Sequence, residues 1–379
     1  MEAEGDGIVE KSTAFSAKGS GEGSGVRRNS GPREPVRQDA DGGAVRLLAA
    51  PPFCFAVNRD YLARSPHECL WRVRDGRVIR AIEAAGETVV VEVAAAGSEG
   101  ASGAGRGATG RTGGGDGPGS PEAAPVRAAM AEDDGVVVRF LPAADGAVPS
   151  PRAREAAAAF VREWLDLDRD LTPFYETARR DALLAPIVDR FHGLRLVGIP
   201  DLFEALAWSV IGQQINMAYA YTLKRRFVER FGRRVTAKGE SLWLFPGAER
   251  IASLEPADLQ GMGLSTRKGE YLIHIAQLIA DGRLSKEALR EAGRAGGCDA
   301  AGKLLCAIRG IGPWTAHYAL MFCLRFPDAF PIDDVGLHNA VKMAAGLDRK
   351  PTKAELRQLA EGWKGWEAYA TFYLWRLLY

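Results

Sequence analysis

No stretch of this 379-residue chain approaches the roughly 18 consecutive apolar residues that a bilayer-spanning helix needs, which argues against a helical membrane span. The N-terminus is acidic and polar (Glu2, Glu4, Asp6) and so lacks the basic and apolar regions of a secretory signal. Net charge is almost absent: 49 Lys and Arg stand against 48 Asp and Glu, a formal charge of +1. On that balance alone a strongly basic nucleic-acid binder is not expected. Cysteine is sparse, with five scattered residues (Cys54, Cys69, Cys298, Cys306, Cys323) and neither metal-ligand spacing nor a disulfide scaffold. These absences describe a soluble protein of a reducing compartment, expected to be cytoplasmic. What is present fits that class: 46% hydrophobic residues can fill sizeable cores, and the length suggests two or three domains.

Glycine is the one excess, at 44 residues, and its distribution divides the chain. Residues 1–43 carry almost no large apolar side chains and cannot offset their ordering entropy, so they read as a disordered tail. Residues 97–125, about two-fifths glycine, have the composition of a flexible linker. A Gly-Ala-Gly-Arg-Gly stretch there suits either a brush with nucleic acid or, more simply, a solvated loop. Around that insertion, residues 44–143 read as a small α+β domain. Phe53–Val57 is expected as a short strand, and Leu70–Val73 turns through Asp75-Gly76 into Val78–Ile82, a hairpin signal. Thr88–Val93 and Gly135–Leu141 then extend the same sheet, and the insertion becomes an overgrown loop whose length costs only logarithmically.

From about residue 150 to 379 the apolar period changes to 3.6, which predicts an all-α domain with no strand of comparable strength. Helices are expected over 151–166, 202–214, 217–231, 267–281, 301–308, 314–325, 335–345, 353–362 and 366–378.

The most informative segment lies between Leu304 and Asn339. Arg309-Gly310-Ile311-Gly312 is a turn between two predicted helices, and Pro313 opens the second without wasting a donor. Glycines at 310 and 312 permit a tight backbone with amides open to a ligand, an arrangement suited to phosphate. Taken alone, a plain helix connection fits equally well. Further on, Asp334 precedes another apolar-periodic helix, an N-cap position where amide donors and the helix dipole favour a carboxylate anion. It is either a cap only or a carboxylate fixed for chemistry. A metal pair of Asp333 and Asp334 is disfavoured, because adjacent side chains diverge and no His or Glu sits at ligand spacing.

The segments Arg309–Ala316 and Pro331–Asp334 resemble the signature of helix-hairpin-helix base-excision DNA glycosylases, with their Gly/Pro-rich loop and Asp. More closely, the chain resembles the bacterial AlkA-type 3-methyladenine DNA glycosylases. Gly193–Leu196, Phe203-Glu204, Ile211–Ile215, Gly261–Leu264, Arg267-Lys268, Tyr271-Leu272, Trp363–Trp366, Tyr369 and Trp375 follow in family order. The match runs from about residue 190 to the C-terminus. Over 44–143 it is weaker, although the family's N-terminal antiparallel α+β domain suits the strand reading, and the Gly-rich insertion has no expected counterpart.

The resemblance implies an N-terminal antiparallel-sheet α+β domain followed by a larger all-α helix-hairpin-helix glycosylase domain. It implies that Asp334 is the catalytic carboxylate and that Trp314, Tyr318, Trp375 and Gln213 belong to the base pocket. The DNA-binding set is then Gly310, Ile311, Gly312 and Thr315 of the hairpin, with Arg309 and Gln214. Gln214 stands where the best-known members place an intercalating leucine, and its amide could hydrogen-bond the orphaned base. Arg309 replaces a common proline, which leaves the turn intact and adds a phosphate-seeking cation. Seven basic residues between Thr222 and Glu240 (Lys224, Arg225, Arg226, Arg230, Arg233, Arg234, Lys238) against two acids form a further candidate phosphate strip.

The implied activity is monofunctional: alkylated bases are flipped from duplex DNA and the N-glycosidic bond is hydrolysed, leaving an abasic site. Strand-cleaving relatives place a Schiff-base lysine where Trp314 stands. No cofactor is implied beyond a structural Na⁺ or K⁺ on the backbone of Cys306, Ile308 and Ile311. No iron–sulfur cluster is expected, since no cysteine follows Cys323. The expected partner is double-stranded DNA carrying alkylated bases, bound by a nucleoid-associated monomer. The alternatives are a related glycosylase for uracil, hypoxanthine or oxidised guanine, and a non-catalytic DNA-binding module.

Overall fold

The computed structural model describes residues 43–97, 133–142 and 146–378. The expected disordered tail over 1–43 and insertion over 97–125 therefore lie, except for Gly43 and Gly97, outside the described residues.

Alternating β-branched residues build the N-terminal sheet from β1 (Ala44–Leu48), β2 (Trp71–Arg74), β3 (Arg77–Ala84), β4 (Glu87–Ala95) and β5 (Gly135–Leu141), in the order β1-β5-β4-β3-β2. Neighbours are antiparallel throughout, with Val73 opposite Val78 and Val93 opposite both Val78 and Val138. Asp75-Gly76 and Ala85-Gly86 make the two tight turns, all four residues having positive φ, as the right-handed strand twist demands. One prediction is corrected here. Phe53–Val57 is not a strand: Cys54 is extended and α1 begins at Phe55, running Phe55–Leu62. A five-residue apolar run does not choose between periods, and the burial of Phe55, Asn58, Tyr61 and Leu62 at spacings of three, three and one sets the helical one.

The remaining helices are α2 (Pro151–Trp164), α3 (Thr172–Arg180), α4 (Ala185–Arg190), α5 (Leu202–Gly212), α6 (Met217–Phe231), α7 (Ala248–Ala252), α8 (Thr266–Ala280), α9 (Lys286–Cys306), α10 (Pro313–Phe322), α11 (Val335–Ala344), α12 (Lys353–Ala360) and α13 (Glu367–Trp375). Nine of these overlap the segments predicted from periodicity; α3, α4 and α7 are short and were not anticipated. The first half of α9 was also hidden, because Gly296 and Gly297 leave helical geometry and kink it. Among the described residues no helix is long and apolar enough to cross a membrane.

A second departure is a hairpin within the helical region, β6 (Arg233–Ala237) with β7 (Glu240–Leu244), turning at Lys238-Gly239. Its five-residue strands, one polar (Arg-Arg-Val-Thr-Ala) and one ending in an apolar run (Leu-Trp-Leu), give little alternation, but Ala237, Leu242 and Leu244 cover Ile79, Ala81, Val90 and Leu141 on one face of the N-terminal sheet. The opposite face packs on the helices in one continuous core that joins Val91 and Val136 to Val161, Phe372 and Tyr373.

Buried polar contacts fasten α1 and β3 to the helical part. Asn58 donates to the Gly193 carbonyl (2.9 Å) and accepts from the Arg195 amide (2.8 Å). Lys224 pairs with Glu68 (3.0 Å) and Arg80 with Glu204 (3.1 Å), all four side chains being almost fully buried.

Candidate active site

The helix-hairpin-helix unit is α9, the turn through Ala307–Gly312, and α10. Ile311 N–H donates to the Ile308 carbonyl (3.0 Å), closing the turn, and Gly310 takes φ +94°. A Cβ at Gly310 would lie 2.3 Å from the Tyr271 ring on α8, so glycine is required there for approach as well as conformation. Gly312 caps α10 and Pro313 is its first residue, as the sequence suggested. Arg309 is exposed on the turn and is held by Glu270 (3.0 Å).

The same helix carries the aromatic wall. Trp314 lies 5.5 Å from Tyr318, and Tyr318 stacks on Phe322 at 4.4 Å, three rings spaced four residues apart along one face. Trp375, at the end of α13, lies parallel to Phe322 (6.2 Å, 6°). The Tyr318 hydroxyl accepts from Trp208 Nε1 (2.8 Å), and burial pushes its pKa well above the ordinary tyrosine value, so the ring stays neutral.

Asp334 is the N-cap of α11, and its carboxylate does more than cap. Oδ1 accepts from the Leu337 amide (2.6 Å) and from Trp375 Nε1 (2.8 Å), while Oδ2 accepts from Trp314 Nε1 (2.8 Å). Three N–H donors on two helices and a third helix's first turn thus fix the position and plane of one half-buried carboxylate. Gly336 makes room for this: a Cβ there would sit 2.8 Å from Asp334 Oδ1 and 3.3 Å from Trp375 Nε1. Asp333 also borders the cavity, but its carboxylate is paired with Lys353 and does not share the donors of Asp334.

Asp334, Trp314, Tyr318, Trp375, Gln213 and Gln214 all line one cavity of about 900 Å³, large enough for a nucleobase. Gln213 does not simply point into it. Its Nε2 donates to the Gly310 carbonyl and to Thr315 Oγ1, both at 3.0 Å, tying the end of α5 to the hairpin. Thr315 is consequently buried, its hydroxyl turned inward, whereas Gly312 and Arg309 remain exposed. Gln214 is exposed at the mouth with φ +57°, a left-handed conformation uncommon for a non-glycine residue.

Sequence reasoning missed part of the wall. Phe322 was within reach, because it continues the spacing of Trp314 and Tyr318. Tyr61 on α1 and Arg64 in the turn that follows it, both from the sheet domain, and Trp208 and Phe372 enter only through tertiary packing. The basic strip on α6 and the following β6 needs one correction. Lys224 is not a phosphate contact: it is buried against Glu68, between the rings of Trp71 (5.2 Å) and Trp208 (5.4 Å). Of the others, Arg225 pairs with Glu229, Arg233 with Glu83, Lys238 with Glu92, and Arg226 and Arg230 donate to the Met262 and Gln260 carbonyls.

The family model described as HhH-GPD superfamily base excision DNA repair protein matches residues 207–365, and that of the 8-oxoguanine DNA glycosylase N-terminal domain matches residues 130–206. A DNA-3-methyladenine glycosylase of Bacillus subtilis (strain 168) is 42% identical over 327 residues, covering 86% of this chain and 94% of that protein. Among solved structures, a 3-methyladenine DNA-glycosylase from Archaeoglobus fulgidus superposes with a TM-score of 0.63 at 22% identity, over 87% of this chain and 97% of that one. A Clostridium acetobutylicum 8-oxoguanine glycosylase/lyase follows at a TM-score of 0.59 and 18% identity, over 90% and 98% of the two chains. Hairpin, capped carboxylate, aromatic cavity and an identity that extends along nearly the whole relative lead to one conclusion: the chain belongs to the DNA-3-methyladenine glycosylase family of the HhH-GPD base excision repair superfamily.

Proposed function

We propose that this chain is a monofunctional DNA glycosylase that flips alkylated bases, 3-methyladenine and 7-methylguanine among them, out of duplex DNA and hydrolyses the N-glycosidic bond to leave an abasic site. The observation that carries the reading is the Asp334 carboxylate, held by two indole N–H groups and an amide on the wall of a base-sized aromatic cavity beside the hairpin. Departure of the base leaves an oxocarbenium-like sugar, and a pre-positioned anion stabilises that charge with no reorganisation at the moment of reaction. An attacking water is oriented by the same carboxylate. The electron-rich faces of Trp314, Tyr318 and Trp375 attract a cationic methylpurine, at about 0.5–2 kcal/mol per ring.

The turn at Arg309–Gly312 grips the DNA backbone through the exposed Arg309 and Gly312, the Ile311 side chain being buried beneath it, and Gln214, at the mouth, fills the gap left by the flipped nucleotide. The backbone carbonyls of Cys306, Ile308 and Ile311, of which Ile308 already accepts from the Ile311 amide, would hold a Na⁺ or K⁺ that supplies positive charge beside a phosphate. Hydrolysis by this route calls for no organic cofactor or iron–sulfur cluster. Trp314 occupies the position where a lyase needs an amine, and among the described residues no lysine lines the cavity, which favours base release without strand cleavage. The protein acts as a cytoplasmic, nucleoid-associated monomer.

Single-turnover base release from duplexes carrying 3-methyladenine, 7-methylguanine, hypoxanthine or uracil tests the proposal. Alkylpurine release is expected, slowed about 10²–10³-fold or more in Asp334→Asn with DNA binding retained. Full excision by that variant would refute the role of the carboxylate, and nicking of an abasic strand by the wild type would refute the monofunctional assignment.

A further inference from the structure

The aromatic wall leads from the carboxylate to two arginines. Asp334 contacts Trp375, Trp375 lies parallel to Phe322, Phe322 meets Phe372 (6.0 Å), and Phe372 meets Tyr61 edge-on (4.9 Å). Over the Tyr61 ring stand the guanidinium carbons of Arg64 (3.8 Å) and Arg376 (5.7 Å). Both arginines line the same cavity as Asp334. Arg64 also donates to the Tyr61 carbonyl (2.9 Å), which anchors it on α1.

Among the described residues that line the cavity, Arg64 and Arg376 are the only cationic side chains, at the opposite end of this ring series from Asp334. A guanidinium is permanently cationic and offers N–H donors but no acceptor. At that end of the cavity it favours an edge that presents a carbonyl oxygen over one that presents an amino group. Aromatic stacking alone makes no such distinction.

On the glycosylase reading above, we propose that Arg64 and Arg376 are specificity residues that donate to the oxo group of the flipped base. The site is thereby matched to 6-oxo purines, neutral hypoxanthine as well as cationic 7-methylguanine, while 3-methyladenine, with a 6-amino group, is held by the aromatic rings and gains nothing from the arginines.

These three lesions separate charge from edge chemistry. Single-turnover release from each is measured with the full chain, its Arg64→Met and Arg376→Met variants and the corresponding Lys variants, normalised to the fraction that binds an abasic-site duplex. Each Met variant is expected to lose about 10- to 100-fold on hypoxanthine and 7-methylguanine, the size of one hydrogen bond from a charged donor, and to stay within about threefold on 3-methyladenine. The Lys variants, which keep a charged donor, should recover part of the oxo-base rate without changing 3-methyladenine. An equal loss on all three lesions, or no loss on any, would overturn the specificity role while leaving the glycosylase reading intact. A wild-type chain that releases none of the three would overturn both.

Discussion

Gly310 is subject to two constraints at once. Its φ of +94° excludes ordinary side chains, and its Cα faces Tyr271 so closely that a methyl group would enter the ring. Gly310→Ala should therefore cost about 2–4 kcal/mol, combining the backbone penalty with overpacking. Thermal unfolding reads the first effect, and affinity for an abasic-site duplex reads distortion of the hairpin. In Gly310→Ala/Tyr271→Ala the clash is gone and the backbone strain remains, so a partial recovery is expected; full recovery would mean that φ imposes nothing. At this scale the site was largely legible: Gly310, Gly312, Trp314 and Asp334 stand in one continuous stretch whose turn and cap signals are local. The partner that makes Gly310 obligatory was not, since Tyr271 lies on another helix. Nor was the role of Gln213, whose amide is spent on Gly310 and Thr315.

Between elements, the junction of α5, α8 and the hairpin decides how the Gln213-Gln214 loop is held. Lys268 on α8 donates to the carbonyls of Ile211 (2.8 Å) and Gln213 (2.7 Å), two groups left without intrahelical partners at the end of α5. Burial lowers its pKa, yet the two carbonyls and the end of the α5 dipole make a cation-favouring seat. Gln213 then passes the constraint to Gly310 and Thr315. Lys268→Met should keep the fold and loosen this loop. A loss of about 5- to 100-fold in base release is expected, the worth of about 1–3 kcal/mol in charged hydrogen bonds, and it should appear in the flipping step. A fluorescent base analogue beside the lesion reports flipping directly; normal flipping with slowed bond cleavage would contradict a positioning role. Elements of this length are visible in the sequence, because α6 and α8 sustain a clear helical period while α5 and α10 are apolar runs too long for an ordinary strand. Short α4 and α7 offer too few turns, and Phe53–Val57, apolar at every position, reads as a strand where α1 in fact begins. The β6–β7 hairpin was hidden because its buried face reads against a sheet about 150 residues earlier in the chain.

Across the whole molecule, two buried ion pairs join the N-terminal sheet region to the helices that carry the cavity, and no local pattern announces pairs separated by 156 and 124 residues. Glu68 accepts from its neighbours' amides at Cys69 (2.8 Å) and Leu70 (2.9 Å) and from Lys224 (3.0 and 3.2 Å). Burial alone would raise the Glu68 carboxyl, but Lys224, the Leu70 amide and Arg80 outweigh it and hold the carboxyl below its ordinary value. Its contribution to stability is therefore present above the unfolded carboxyl value of 4.5 and is lost as the pH falls below it. Glu204 behaves oppositely, burial raising it against the pull of Arg80 and Lys224. Lys224→Met removes the cation nearest to Glu68 and should destabilise the chain by about 3–5 kcal/mol at neutral pH, the cost of a buried carboxylate without its partner. In the variant, burial of Glu68 is opposed by less positive charge, its carboxyl rises, and the penalty is relieved as the pH drops through that raised value. The stability gap between wild type and variant should consequently narrow between pH 7 and pH 5, as followed by urea unfolding at each pH. Glu68→Gln placed on Lys224→Met removes the stranded charge and should recover part of the loss at pH 7 with little further dependence on pH. A gap that stays constant or widens on acidification would show that Lys224 acts through its packing between Trp71 and Trp208 rather than through its charge.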